Sequence, residues 1–290
     1  MLKITGKTKL LGIIGNPIEH SLSPVMQNEA IKALGLDYVY IPFPVKADRL
    51  STVLNGFSAI DLVGFNVTIP HKQAIIPLLD EVTNTAKMIG AVNTVWRTET
   101  GWKGTNTDID GFIAPLRQIK HNWSQVCPII LGNGGAARAV VVGCAELGCS
   151  EISIIGRNQE KLDLFCQSWQ NTPLKSRLKA HSWNNLAGLV SSTDLLINTT
   201  PIGMYPHVDQ SPLDLSMMDQ LKEGTIVYDL IYTPRPTLLL QKAQERGAIV
   251  IDGVEMLVQQ GAKALEIWVK QPAPVDVMRS ALLEFLGFST

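Results

Sequence analysis

Five short apolar segments in the second half of the chain each run straight into a glycine-bearing or polar turn, and this repetition constrains the fold more than any other feature. Ile129-Ile130-Leu131 enters GNGGAA, Ile152 to Ile155 enters GRN, and Leu195-Leu196-Ile197 enters NTTPIGM. Ile226-Val227-Tyr228 then enters DLIYTP, and Ala248 to Ile251 enters DGVEML. Strands apolar throughout must be covered on both faces, and the intervening stretches, beginning with Arg138 to Leu147, suit covering helices. The expectation is a doubly wound parallel sheet of the α/β class.

The first half also alternates. Leu10 to Ile14, Tyr38 to Phe43, Leu62 to Ile69, Ala91 to Trp96 and Trp102 to Gly104 read as strands; Ser23 to Leu34, Leu50 to Ala59 and Ala74 to Leu79 read as helices. Ser23-Pro24 is placed to cap and open the first helix. A length of 290 residues exceeds the ~100–200 of one ordinary core, so two domains are expected. The boundaries fall at 1–108 and 109–253, and a helical tail at 254–290, with Met256 to Val269 its periodic part, is free to return to the first domain.

Composition removes several classes of function. Charged residues are 18% of the chain and hydrophobic residues 46%, which a disordered segment would not show. A formal charge of -1 provides no global field for nucleic acid or an anionic membrane. Five scattered histidines and four cysteines without a CxxC pair predict no metal site, and thiols of this pattern belong in a reducing cytoplasm. The short apolar run after MLKITGKTK is too brief for a signal-peptide core, and no segment approaches the ~20 residues of a membrane span. No apolar stripe distinguishes a monomer from a homodimer.

Gly132-Asn133-Gly134-Gly135-Ala136-Ala137 fits G-x-G-x-x-G/A between a strand and a helix. Gly132 allows the tight turn, Gly134 lets backbone approach a pyrophosphate, and small Ala137 lets the helix pack on the strand. Free N–H groups at the helix start would meet the anion. The next strand ends Gly156-Arg157-Asn158, with Lys161 one turn on, where an NAD site would place an acidic residue for the ribose. Two cations suit a 2'-phosphate, so NADP is the expected cofactor.

In the first half, polar groups gather at strand ends in His20-Ser21-Leu22-Ser23-Pro24, NVTIPHK and NTDIDG. In an α/β domain such ends converge, so Ser21, Asn66, Thr68, Lys72 and Asp108 are candidates for one cleft. Hydroxyls, an amide and an ammonium suit a small polyhydroxylated acid. Lys72 has a plain alternative as a lysine reaching solvent after Pro70, and Ser23 one as a helix cap.

Taken in order, SLSP, NVTIPHK, GAVNT, NTDIDGF, GNGGAARA, NTTPIGM, YDLIYTPRPT and DGVEMLVQQ resemble the shikimate dehydrogenase family over nearly the whole chain. The resemblance implies a substrate domain at the N-terminus, completed by C-terminal helices, an NADP domain between, and reversible reduction of 3-dehydroshikimate to shikimate in aromatic amino acid biosynthesis. It further implies that Ser21 and Ser23 hold the substrate carboxylate. Thr68, Asn93, Asp108, Tyr232 and Gln260 would bind its ring and hydroxyls, Asn66 joins the substrate-binding set from the cleft candidates above, and Lys72 with Asp108 would be catalytic. The cofactor set would be Gly132, Asn133, Gly134, Gly135, Ala136, Arg157, Asn158, Lys161, Thr200, Leu230 and Gly253. Where the family often has Asn-Arg-Ser/Thr, this chain has Gly156-Arg157-Asn158, which retains the arginine and changes its neighbours. Quinate dehydrogenases share these motifs, and a non-catalytic NADP-binding relative is an alternative against which intact Lys72 and Asp108 speak; a folate-type or tRNA-linked dehydrogenase with a similar nucleotide domain would not require SLSP and NVTIPHK.

Overall fold

The computed structural model describes residues 4–288; residues 1–3 and 289–290, at the outer ends of the expected first domain and helical tail, lie outside the described residues. Contacts group the chain into two compact units, Met1–Gly111 with Leu257–Thr290, and Phe112–Met256. The chain passes between them inside two helices, Asp108–Arg117 and Gly253–Val269.

The first unit is built on a mixed sheet of β1 (Lys9–Gly15), β2 (Tyr38–Pro44), β3 (Gly64–Val67), β4 (Glu81–Val82), β5 (Thr94–Thr98) and β6 (Gly101–Thr105), ordered β2-β1-β3-β5-β6-β4. β1 pairs in parallel with β2 and β3, and β3 pairs antiparallel with β5. Every residue of β3 is buried, so this strand reads as an unbroken core segment with one polar member, Asn66. Phe65 meets Phe57 and Trp102 edge-on, with ring centroids 5.3 and 5.4 Å away, the geometry that ring quadrupoles favour. Gly64 must lack a side chain because the indole of Trp268 lies where a Cβ would stand, and that indole donates to the Val95 carbonyl at 3.0 Å. The helix carrying Trp268 is thereby fastened to the centre of the first sheet. Two expected elements differ. The helix expected over 74–79 is a single turn, His71–Ala74, followed by a 3-10 turn at Ile76–Leu78, because Pro77 cannot donate the bond that a continuing helix needs. Leu22, not Ser23, occupies the cap position of the helix Ser23–Ala33, and no side chain caps it.

The second unit contains β7 (Ile129–Leu131), β8 (Ile152–Gly156), β9 (Leu178–Ser182), β10 (Leu195–Asn198), β11 (Ile226–Asp229) and β12 (Ile249–Ile251). All pairings are parallel and the order is β12-β11-β10-β7-β8-β9, so the winding direction reverses between β7 and β10. Ligands of open α/β sheets bind beyond the strand ends at such a reversal. The glycine turn follows β7. Six strands stand where five were expected, because β9 is an edge strand whose residues are half-exposed or exposed, and an edge needs no apolar run. Leu131, Leu196 and Val227 from the central strands form the core with Leu239 and Leu240.

Candidate active site

Lys72 and Asp108 meet in the first unit. β3 ends at Val67, a cis Ile69–Pro70 bond turns the chain, and the His71–Ala74 turn presents Lys72. Asp108 opens the helix Asp108–Arg117, where the side-chain oxygen of Asn106 accepts its backbone N–H at 2.9 Å and where the helix dipole favours a carboxylate. Lys72 Nζ donates to Asp108 Oδ2 at 2.5 Å, and Asn93 Nδ2 donates to Oδ1 at 2.8 Å. Each carboxylate oxygen therefore has its own donor. The Lys72 side chain is 21% exposed and that of Asp108 9%, so the pair is shielded while the ammonium retains an outlet.

The other first-unit candidates divide by whether their polar atoms are already committed. Asn66 is committed: its Nδ2 donates to the Asn93 carbonyl and Thr94 Oγ1 at 3.0 and 3.1 Å, and its Oδ1 accepts from the Tyr40 hydroxyl at 2.7 Å. Asn93 is committed similarly, to Asp108, Thr107 and Thr94. Thr68 is half-buried, and its hydroxyl makes no hydrogen bond among the described residues. Ser21 Oγ accepts the Ser23 N–H at 3.4 Å and keeps its own hydrogen to give. Ser23 is buried beside Tyr40, inside the first turn of its helix. Gln260 donates to Leu257 O at 2.8 Å, and its Oε1 lies 3.5 Å from Asn93 Nδ2. Tyr232 lies in the second unit, half-buried, with burial pushing its phenol up.

Sequence reasoning missed Tyr40, Thr94, Thr107 and His71. All four are buried, and a buried tyrosine or threonine in a strand looks the same in sequence whether it packs or positions. His71 sits beside Lys72 within 2.7 Å of the Val45 carbonyl, so its Nε2 carries the hydrogen.

In the second unit the glycine turn fits a dinucleotide phosphate. Gly132 has φ +102°, and a Cβ there would stand 2.7 Å from Thr199 Oγ1, so only glycine serves. At Gly134 and Gly135 a Cβ would meet nothing within 4 Å, which leaves open room above the turn. The helix Gly135–Leu147 begins with Gly134 at its cap and no side chain on its first N–H groups, the arrangement an anion satisfies. Asn133 and Ala136 are half-buried at this turn. At the end of β8, Arg157, Asn158 and Lys161 are exposed, and neither cation pairs with a carboxylate among the described residues. Asn158 has a structural duty too, since its Oδ1 caps the helix Gln159–Gln167 through the Lys161 N–H at 2.8 Å.

Thr200 flanks the glycine turn, with its hydroxyl given to Asn198 Oδ1 at 2.7 Å. Gly253 has a packing reason to be glycine: a Cβ would lie 2.1 Å from the Leu230 carbonyl oxygen. Beneath these loops Asp229, wholly buried, accepts from Asn198 Nδ2 at 3.0 Å, Ile231 N at 3.1 Å and Thr237 Oγ1 at 2.7 Å. Burial nevertheless outweighs those donors and pushes its carboxyl up to about 6. Among the described residues no three potential metal ligands converge, and no helix is long and apolar enough to cross a membrane.

Comparison with known proteins places these features in company. Residues 13–95 match the family described as shikimate dehydrogenase substrate binding domain, and residues 253–283 match shikimate 5'-dehydrogenase C-terminal domain. The shikimate dehydrogenase (NADP(+)) of Gloeothece citriformis is 63% identical, over 98% of this chain and 99% of the relative. Among solved structures, a shikimate dehydrogenase in complex with NADP+ superposes with a TM-score of 0.89 at 38% identity, covering 98% of both chains. A shikimate 5-dehydrogenase from Listeria monocytogenes in complex with shikimate and NAD gives 0.89 at 36% identity, over 97% of this chain and 99% of that one.

Proposed function

This chain belongs to the shikimate dehydrogenase family, and we propose that Lys72 and Asp108 carry the proton chemistry of its reaction. It catalyses the NADP-dependent interconversion of 3-dehydroshikimate and shikimate, a step of aromatic amino acid biosynthesis. The observation that carries the assignment of roles is the Lys72–Asp108 pair, backed by Asn93 on the second carboxylate oxygen.

When bound, NADPH supplies the hydride; Gly132 to Ala136 and Thr200 would hold its pyrophosphate end, Arg157, Asn158 and Lys161 its 2'-phosphate, and the Leu230 and Gly253 loops its nicotinamide. Reduction leaves negative charge on the ketone oxygen, and an ammonium meets that need directly. The Asp108 carboxylate beside Lys72 Nζ pairs with its ammonium form, so Lys72 acts as the acid in this direction. Asp108 keeps the ammonium aimed, and Asn93 keeps Asp108 aimed. In the oxidative direction the proton of the shikimate hydroxyl returns to Lys72.

Ser21 and Ser23 hold the substrate carboxylate, and Thr68, whose hydroxyl is uncommitted, takes a ring hydroxyl with Gln260. Asn66 and Asn93 spend their amide hydrogens inside the protein and so shape the pocket more than they grip the ligand. The enzyme acts on a small-molecule substrate in the cytoplasm, as a monomer or homodimer; its four free cysteines fit a reducing compartment. Absorbance at the nicotinamide band, followed with shikimate and quinate against NADP+ and NAD+, tests the whole reading. Shikimate with NADP+ should be fastest, and a preference for quinate with NAD+ overturns it.

A further inference from the structure

A line of hydrogen bonds runs from the edge of the first sheet to Asp108. Tyr40, on the edge strand β2, is 1% exposed, and its hydroxyl donates to Asn66 Oδ1 at 2.7 Å. Asn66 Nδ2 donates to Thr94 Oγ1 at 3.1 Å, Thr94 Oγ1 donates to Asn93 Oδ1 at 2.9 Å, and Asn93 Nδ2 donates to Asp108 Oδ1 at 2.8 Å. Lys72 holds the other carboxylate oxygen.

Backbone groups give this line its direction. Asn66 Nδ2 also faces the Asn93 carbonyl at 3.0 Å, and a carbonyl accepts only, so the amide of Asn66 has one permitted orientation. Its oxygen is then turned to Tyr40, which must be the donor. Thr107 N–H donates to Asn93 Oδ1 at 2.8 Å, which likewise turns the Asn93 amide hydrogens toward Asp108. Tyr40 is held as firmly at its backbone: Asn28 receives its N–H and donates to its carbonyl, both at 2.9 Å. Burial pushes the phenol well up, so it remains a protonated donor wherever the enzyme works.

We propose that Tyr40 is a positioning residue for the Lys72–Asp108 pair, acting through Asn66, Thr94 and Asn93. The proposal rests on the catalytic reading of that pair. Without the hydroxyl, Asn66 Oδ1 is a buried acceptor with no donor, and its amide no longer holds Thr94 against Asn93. The consequence falls on how Asp108 aims Lys72, and so on turnover more than on substrate affinity.

The test compares Tyr40→Phe, Thr94→Val and the double variant in steady-state oxidation of shikimate, with Asp108→Asn as a separate control and circular dichroism as a check on folding. Each single change should lower kcat about tenfold, the scale of one buried hydrogen bond; because Tyr40 also touches Ser23, the KM criterion is read on Thr94→Val, where the shikimate KM should hold within about twofold. The double variant should be no worse than either single, because both cut one line. A rise in KM with kcat kept, unchanged kinetics in Tyr40→Phe, or losses that multiply in the double variant would each overturn the proposal. Should Tyr40→Phe fail to fold, Thr94→Val decides alone, and retention of full kcat there sinks it. Full turnover in Asp108→Asn would instead remove the catalytic reading, whatever Tyr40→Phe does.

Discussion

Lys72 Nζ stands 2.5 Å from Asp108 Oδ2, although 36 positions separate the two in the chain. One arrives from a single helical turn after a strand and the other from the first residue of a long helix, where the dipole already favours its charge. A proton donor placed in this way is costly to improvise by substitution.

Replacement of Lys72 by alanine should therefore lower kcat by about 10²–10⁴-fold, the range of a positioned acid or base. Shikimate affinity, read by equilibrium titration, should change little, since the substrate's other contacts remain. Unchanged turnover would remove Lys72 from the mechanism. Asp108→Asn should lose turnover too, and the two changes together should cost far less than the product of their separate effects.

Ser21 predicts the opposite signature. Its hydroxyl has a hydrogen to give, and a hydrogen bond to a charged carboxylate contributes about 1.5–3 kcal/mol in ground and transition states alike. Ser21→Ala should raise the shikimate KM roughly 10- to 100-fold at nearly constant kcat. A loss confined to kcat would place this serine in the chemistry instead.

Arg157 is exposed, and no carboxylate partners it among the described residues, which leaves it available for a phosphate. With Arg157→Ala, NADP+ should bind about tenfold or more weakly, the scale of a lost charge-assisted hydrogen bond, while NAD+ affinity should hardly move. Calorimetric titration of both cofactors reads this directly, and equal loss for the two would deny Arg157 the 2'-phosphate.

Asp229 makes stability depend on pH. Its carboxyl is raised from 3.8 to about 6 by burial, so between those values the folded state binds more protons than the unfolded state. The sign is a loss of stability as pH rises through the window: the penalty is absent below the lower value and full above the upper, at about 3 kcal/mol. Asp229→Asn cannot ionise. Urea unfolding at several pH values should show wild-type stability falling, relative to that variant, by about 2 kcal/mol between pH ~4.5 and ~7. A pH-independent difference would mean that the buried donors already hold the carboxylate charged.

The sequence by itself determined the elements whose physics is local. A strand covered on both faces has to be apolar along its length, so β7, β8, β10 and β11 announced themselves; of the two edge strands, β12 stood out by its run of three aliphatic residues, Ile249 to Ile251, while β9 did not, because an edge strand carries no such demand. The turn after β7 was equally plain, since a backbone with φ +102° at Gly132 admits glycine and little else. Polar groups at strand ends marked Lys72, Asp108 and Ser21 as candidates. Tertiary structure alone decided which of them meet: that Asn93 stands behind Asp108, that Asn66 and Asn93 spend their amide hydrogens inward, and that Ser23 lies buried beside Tyr40. Hydrogen-bond partners far apart in the chain leave no period or spacing to read. They are chosen by which buried donor and acceptor the packed sheet brings within 3 Å of each other, and that choice exists only once the chain has folded.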